Sequence, residues 1–252
     1  MITIKRDDEI ARMRHAGGIL AEVLDAMQDE LRPGITTAAL NELAEGLIRG
    51  AGAVPSFLGY PGATPFPASI CASINDEVVH GIPSRNRRLQ PGDVVSLDVG
   101  CIWDGWHADV ARTWVLPPTP RRVQELVDAT RRGMEAGIAA ALPGNRLGDV
   151  GAAIEAVARR HGYGVVRPFV GHGIGRSMHE SPNVPNYGRA GTGVRIEPGM
   201  CFAIEPMFNL GADDVVVLDD GWTVVTRDGS LSAHFEDTIA IRESGPEVLT
   251  RA

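Results

Sequence analysis

The sequence predicts an α+β fold built from two similar halves, and three observations carry that prediction. A helix-turn landmark recurs at a constant spacing: Pro33-Gly34, a helix carrying Glu45, and Gly52 return 110 residues later as Pro143-Gly144, a helix carrying Glu155, and Gly162. In each copy a pair of helical patterns is followed by β patterning. The stretches 94–100 and 106–115 read as strands joined across Asp104-Gly105, a strong two-residue hairpin signal. Two amphipathic helices that matched by chance would have no reason to keep one offset over several landmarks. We therefore read 1–252 as a single domain whose halves, about 1–115 and 116–252, are related by a pseudo-two-fold.

The elements follow in order. Ile10, Met13, Gly17, Leu20, Leu24, Met27 and Leu31 recur at spacings of three and four, the apolar stripe of a first helix. Pro33-Gly34 stops it. A second helix places Leu40, Leu43, Ala44, Leu47 and Ile48 on one face. The Pro- and Gly-rich stretch 54–70 reads as a long loop, a feature that is uncommon and often functional. A third helix opens with Thr119 as cap and Pro120 at the first helical position, and ends at Pro143-Gly144. A fourth runs over about 147–161, with Gly162 where a left-handed cap is favoured. The last third reads as strands over 200–207, 214–218, 222–225 and 234–241.

Composition narrows the functional classes. The chain has 252 residues, 44% hydrophobic and 22% charged, with net charge −8. Such a chain buries roughly three quarters of its unfolded surface and has no signature of disorder. The acidic balance argues against nucleic acid as a direct ligand, since phosphate binding needs a basic face. No apolar run reaches the ~18 residues of a membrane span, and the first nine residues lack a signal-peptide core, which predicts no membrane association. Three scattered cysteines point to a reducing cytoplasm rather than a disulfide framework. With 30 glycines and 17 prolines, many special turns are expected.

Three constellations carry chemistry. In the hairpin, an Asp104-Gly105 loop pairs Asp98 with Ala111 and Gly100 with Asp109. Asp98 and Asp109 then share one face of the sheet as diagonal neighbours, roughly 7–8 Å apart at Cα. Asp is depleted in strands, and two buried like charges need a counter-charge, which a divalent cation supplies. The competing reading has one Asp capping a turn and the other pairing with Arg112. The second constellation is the glycine-rich loop Gly171-His172-Gly173-Ile174-Gly175, followed by His179. Its glycines let the backbone approach something closely, and it lacks the Lys of a phosphate loop. The third is a pair of glutamates in apolar strands, Glu205 and Glu236, together with His80 in His80-Gly81-Ile82-Pro83. An exposed edge strand would be the bland account of Glu236. Four carboxylates and a histidine form a hard, oxygen-rich set that suits Mn²⁺, Fe²⁺ or Co²⁺ at least as well as Zn²⁺. Five ligands exceed what one ion with an open position needs, and fit two ions sharing carboxylates.

The set Asp98, Asp109, His172, Glu205 and Glu236, with the His-Gly-Ile-Pro and Gly-His-Gly-Ile-Gly-x-x-x-His-Glu-x-Pro stretches, resembles the type I methionine aminopeptidases over essentially the whole chain. The resemblance implies the duplicated pita-bread fold, a curved antiparallel sheet flanked by two helix pairs. It also implies that Asp98 chelates one of two divalent ions, that His172 and Glu205 bind the other, and that Asp109 and Glu236 bridge both. By the same carry-over, His80 and His179 hold the scissile amide and stabilise the tetrahedral intermediate, and Glu205 accepts the proton of the attacking water. Tyr60, Phe66, Cys71, Met178 and Trp222 match the positions of the methionine pocket. Two departures stand out: Met178 replaces a residue that is commonly aromatic, and the 59–67 loop is about three residues longer than usual.

The implied activity is removal of the N-terminal methionine from nascent polypeptides with a small second residue, by a water bridging the two ions. The implied protein is a cytoplasmic monomer, with room for transient ribosome contact only through the catalytic domain itself. Prolidases and proline-directed aminopeptidases resemble longer chains with an extra amino-terminal domain. Type II methionine enzymes carry an insertion that the gap between Glu205 and Glu236 cannot hold. A metal-free binding protein on the same fold would require lost ligands, and all five are present. Because Ile2 is bulky, a protein of this specificity is expected to keep its own Met1.

Overall fold

The first apolar stripe forms α1 (Asp7–Glu30), which buries Ile10, Met13, Leu20, Leu24 and Met27. Its start is fixed by Glu9, which accepts the Arg6 backbone N–H at 2.9 Å, and by three acidic residues at the positive end of the helix dipole. α2 (Thr37–Gly50) is capped by Thr36, whose hydroxyl accepts from the Ala39 N–H at 3.1 Å. Its covered face is centred on Leu40, Ala44 and Ile48. Leu47 lies past the edge of that face in the last turn and is 39% exposed, against expectation. In this computed structural model the described residues are 2–251, so the expected retention of Met1 concerns a residue outside them.

The β structure comprises β1 (Val54–Pro55), β2 (Ile70–Ile74), β3 (Glu77–Val79), β4 (Val94–Trp103) and β5 (Trp106–Val115) before the second helix pair. That pair is α3 (Arg121–Ala140) and α4 (Leu147–His161). After it come β6 (Gly164–Val165), β7 (Gly171–Gly173), β8 (Glu180–Val184), β9 (Cys201–Ile204) and β10 (Met207–Asn209). The chain closes with β11 (Val215–Val217), β12 (Val224–Thr226), β13 (Ser232–His234), β14 (Glu236–Arg242) and β15 (Gly245–Val248). α2 and α4 start 110 residues apart, as the repeated landmark requires. Gly162 ends α4 at φ +70°, the left-handed cap that glycine adopts without strain.

Three sequence expectations need correction. Pro120 is the cap of α3, not its first helical residue, and Thr119 makes no cap. Pro120 is extended at ψ 139°, so helical dihedrals begin only at Arg121, and its carbonyl accepts from Val123 and Gln124. The expected strand over 200–207 is two strands, broken at Glu205-Pro206, where proline has no N–H for a ladder. The expected strand over 234–241 likewise breaks at Phe235, because β13 and β14 belong to different sheets.

One nine-stranded sheet runs β1-β4-β5-β14-β9-β7-β8, with β2 also on β4 and β15 also on β14. All its pairings are antiparallel. Two three-stranded sheets, β13-β10-β6 and β11-β12-β3, complete the structure. Each helix pair covers its own part of this β layer. Leu20, Leu24, Leu40 and Ile48 pack with Val95, Leu97 and Val110 under α1 and α2. Leu126, Met134 and Ile154 pack with Phe202, Phe208 and Ile239 under α3 and α4. A third cluster joins Phe57, Phe66, Cys71, Met178 and, half-buried, Tyr60 and Trp222. Among the described residues, no helix is long and apolar enough to cross a membrane.

Candidate metal centre and pocket

The hairpin register is the predicted one: Asp98 lies opposite Ala111, and Asp109 opposite Gly100. Both aspartates are buried, and they lie close enough for the Asp98 charge to raise the proton affinity of Asp109. Asp109 is locked through its main chain, which gives its N–H to Thr238 Oγ1 at 2.9 Å and accepts from the same hydroxyl at 2.8 Å. Glu236 enters from β14, an interior strand between β5 and β9, and is only 2% exposed. That position rules out an edge-strand account. Arg112 is no partner of Asp98 or Asp109. It donates to Asp237 Oδ1 at 2.6 Å and to the Ala111 and Glu236 carbonyls.

His172 stands on β7, so the glycine-rich segment is a strand where it carries that histidine, not a loop. The reason is steric. A Cβ on Gly171 would lie 2.3 Å from the Ala203 carbonyl oxygen, and one on Gly173 would lie 2.4 Å from that of Ser181. These glycines bring the backbone close to neighbouring strands rather than to a ligand. The His172 Nδ1 sits 2.9 Å from the Gly173 carbonyl, which can only accept, so Nδ1 carries the proton. Nε2 thereby presents its lone pair, 3.5 Å from Glu205 Oε1. Glu205 follows the end of β9, at the break before Pro206.

Donor atoms of Asp109, His172 and Glu236 converge within 4.8 Å of one another, as do those of Glu205, His234 and Glu236. Asp98 Oδ1, His234 Nε2 and Glu236 Oε1 are buried without a hydrogen-bond partner among the described residues. Burial pushes Asp98 up to about 7. Burial and neighbouring carboxylates hold Asp109, Glu205 and Glu236 well above the usual carboxylate range. Burial and the adjacent His179 depress His172 to about 3, and burial and Arg112 are among the causes that bring His234 to about 3. Orphaned oxygens, carboxylates that resist ionisation and neutral imidazoles together form a site whose missing counter-charge is a cation. The donor set therefore fits divalent metal.

Beside these groups lies a cavity of about 280 Å³, and every site residue expected from the sequence lines it. Tyr60, Phe66, Cys71, Met178 and Trp222 form its apolar part. Phe66 and Trp222 meet edge to face at 5.2 Å, and the Trp222 indole N–H donates to the Thr64 carbonyl at 3.0 Å. Cys71 faces Asp98 across β2 and β4. Tyr60 Oη lies 2.7 Å from His179 Nδ1, and the His179 ring stands 4.1 Å from that of His172. His80 has left-handed backbone at φ 59° and is depressed to about 4 by burial and His179. A second cavity of about 80 Å³, lined by His80, Phe169, His179, Glu205 and His234, adjoins it.

Two contributors escape a reading of the sequence. Phe57 lines the main cavity from the long loop, where no periodicity marks it. His234 is two residues before Glu236 in extended chain, so alternation places both on one face, and that signal could have found it.

A curled antiparallel sheet that gathers buried carboxylates and imidazoles beside an apolar cavity defines a metal-dependent hydrolase. Residues 11–243 match the profile of metallopeptidase family M24. The chain belongs to that family, among its methionine aminopeptidases. It is 49% identical over 250 residues to the methionine aminopeptidase of Clostridium acetobutylicum, covering 99% of each chain. The crystal structure of methionine aminopeptidase from Thermotoga maritima superimposes with a TM-score of 0.97 at 43% identity, covering all of both chains. That from Rickettsia prowazekii gives 0.96 at 44% identity, covering 99% of this chain and all of that one. The architecture is thus the pita-bread fold that the resemblance implies.

Proposed function

We propose that the protein removes the N-terminal methionine from nascent polypeptides whose second residue is small, acting as one catalytic domain with two divalent metal ions. One observation supports this reading: Asp98, Asp109, His172, Glu205 and Glu236 line one cavity of about 280 Å³ together with the apolar side chains that would receive methionine. Asp98, Asp109, His172, Glu205 and Glu236 are the residues that would hold the ions. When bound, the ions would acidify a water and polarise the scissile carbonyl. Glu205, raised in proton affinity by burial and still open to the cavity, is suited to accept the water's proton. His179, tethered by Tyr60, and His80 both line the cavity and on this reading donate to the peptide oxygen and steady the tetrahedral intermediate. Tyr60, Phe66, Cys71, Met178 and Trp222 receive the methionine side chain, with the flexible Met178 in one apolar cluster with Phe57 and its methyl beside Gly100. On this reading the protein works in the cytoplasm as a monomer and meets its substrates during transient ribosome contact.

The deciding experiment offers Met-Ala-Ser and an Ala-Pro peptide to metal-stripped protein with Mn²⁺, Co²⁺, Fe²⁺ or Zn²⁺ restored. Cleavage of Met-Ala-Ser alone supports the reading. Cleavage of only the proline peptide, or of neither, overturns it.

A further inference from the structure

His234 is buried at the metal centre, 2% exposed, and the five-residue ligand set leaves it without a task. Its backbone is held rigidly. The His234 N–H donates to Thr113 Oγ1 at 2.9 Å, and that hydroxyl donates back to the His234 carbonyl at 2.7 Å. Register with Met207 across β10 and β13 fixes its direction. The imidazole Nε2 has no hydrogen-bond partner among the described residues. It stands 3.9 Å from Glu205 Oε2 and 3.9 Å from Glu236 Oε2. Both separations are too long for hydrogen bonds. They are, however, spacings that donor atoms adopt around a shared ion, where ligands ~2.0–2.2 Å from the metal stand roughly 3–4 Å from one another. An imidazole nitrogen buried between two carboxylates and bonded to neither is costly unless something sits among the three.

We propose that His234 is itself a metal ligand, binding a divalent cation together with Glu205 and Glu236. The centre of this chain then carries two imidazoles. Donor atoms of His172 gather with those of Asp109 and Glu236, those of His234 with Glu205 and Glu236, and Glu205 Oε1 also stands 3.5 Å from His172 Nε2. The proposal rests on the reading of this cavity as a metal centre and adds a ligand to it. A second nitrogen donor makes the set softer, and so shifts preference from Mn²⁺ towards Co²⁺ and Zn²⁺.

The test uses metal-stripped wild type, His234→Gln and His234→Ala, each titrated with Co²⁺ by calorimetry and visible absorption. X-ray absorption of the loaded proteins then counts imidazoles per ion. Wild type should take up two equivalents with two imidazoles across the pair. Both variants should weaken one of the two binding steps by about 100-fold or more, lose one imidazole and change the ligand-field spectrum. A wild-type centre with a single imidazole across two ions overturns the proposal, and this outcome needs no variant to fold. Weakened binding with an unchanged imidazole count also overturns it, because His234 would then only position Glu205. Wild type that binds no Co²⁺ would instead sink the proposed function.

Discussion

Asp109 shows how a single side chain is set for its work. Its main chain is clamped by Thr238, the Asp98 charge raises its proton affinity, and Val110 N–H donates to its Oδ1 at 3.0 Å. Asp109→Asn keeps the shape and removes the charge. Cleavage of Met-Ala-Ser is expected to fall by at least about 100-fold and bound metal to drop, with an unchanged far-UV circular dichroism spectrum. Full activity in this variant would refute a bridging role. Tyr60→Phe deletes only the hydroxyl at His179 Nδ1, so kcat is expected to fall about 10-fold while KM for Met-Ala-Ser changes little. Steady-state kinetics with that peptide separates the two terms. Among these residues, Asp98 and Asp109 are legible in the sequence because a charge inside an apolar strand is anomalous by itself. His234 is fainter, marked in the sequence only by its alternation with Glu236, and its weight appears once the fold buries its Nε2 without a partner.

Elements explain why the carboxylates arrive in register. The β4–β5 pairing follows from the Asp104-Gly105 loop alone, since a two-residue turn dictates which residues face each other. Pro206, which has no N–H for a ladder, is a local mark of the break at Glu205-Pro206, but nothing local marks the break at Phe235, where the chain passes from one sheet to another. The strand that carries Glu236 is supported from behind by the chain's last turn. Leu249 is fully buried and donates its N–H to the Thr238 carbonyl at 2.8 Å. Buried Asp237 accepts from Arg112, from Thr250 at 2.8 Å and from Arg251 at 2.7 Å. Ending the chain after Val248 removes the buried leucine and two of Asp237's three partners. Urea unfolding is expected to show a loss of about 3–5 kcal/mol, and Co²⁺ titration a weaker metal centre.

Across the whole molecule, the two helix-covered clusters share one sheet, and the candidate metal centre lies where their strands β5 and β14 pair. That placement couples metal binding to stability. Without metal, Asp98 titrates near 7 when folded and close to the ordinary carboxylate value of 3.8 when unfolded. Below the unfolded value the group is protonated in both states and adds no penalty. As pH rises through the window between the two values, only the unfolded state readily ionises it, and stability falls. Metal-stripped protein is therefore expected to lose thermal stability between about pH 4 and pH 7 through this group. Asp98→Asn should make that slope shallower without abolishing it, because Asp109, Glu205 and Glu236 are raised in the same sense. Divalent metal should reverse it; melting curves of the two proteins in EDTA and in Co²⁺ check both.

The helix-pair repeat, the hairpin register and the oddity of acidic residues in apolar strands are local properties, written in spacing and hydrophobic period. The amino-acid sequence by itself therefore determines them. The convergence of His80, His172, Glu205 and Glu236 on that hairpin is a long-range property. It depends on strands far apart in the chain closing into one sheet, and no local period encodes such closure. Only there does burial strip the carboxylates of water and raise their proton affinity. Only there does it leave the His234 nitrogen facing two oxygens and bonded to neither.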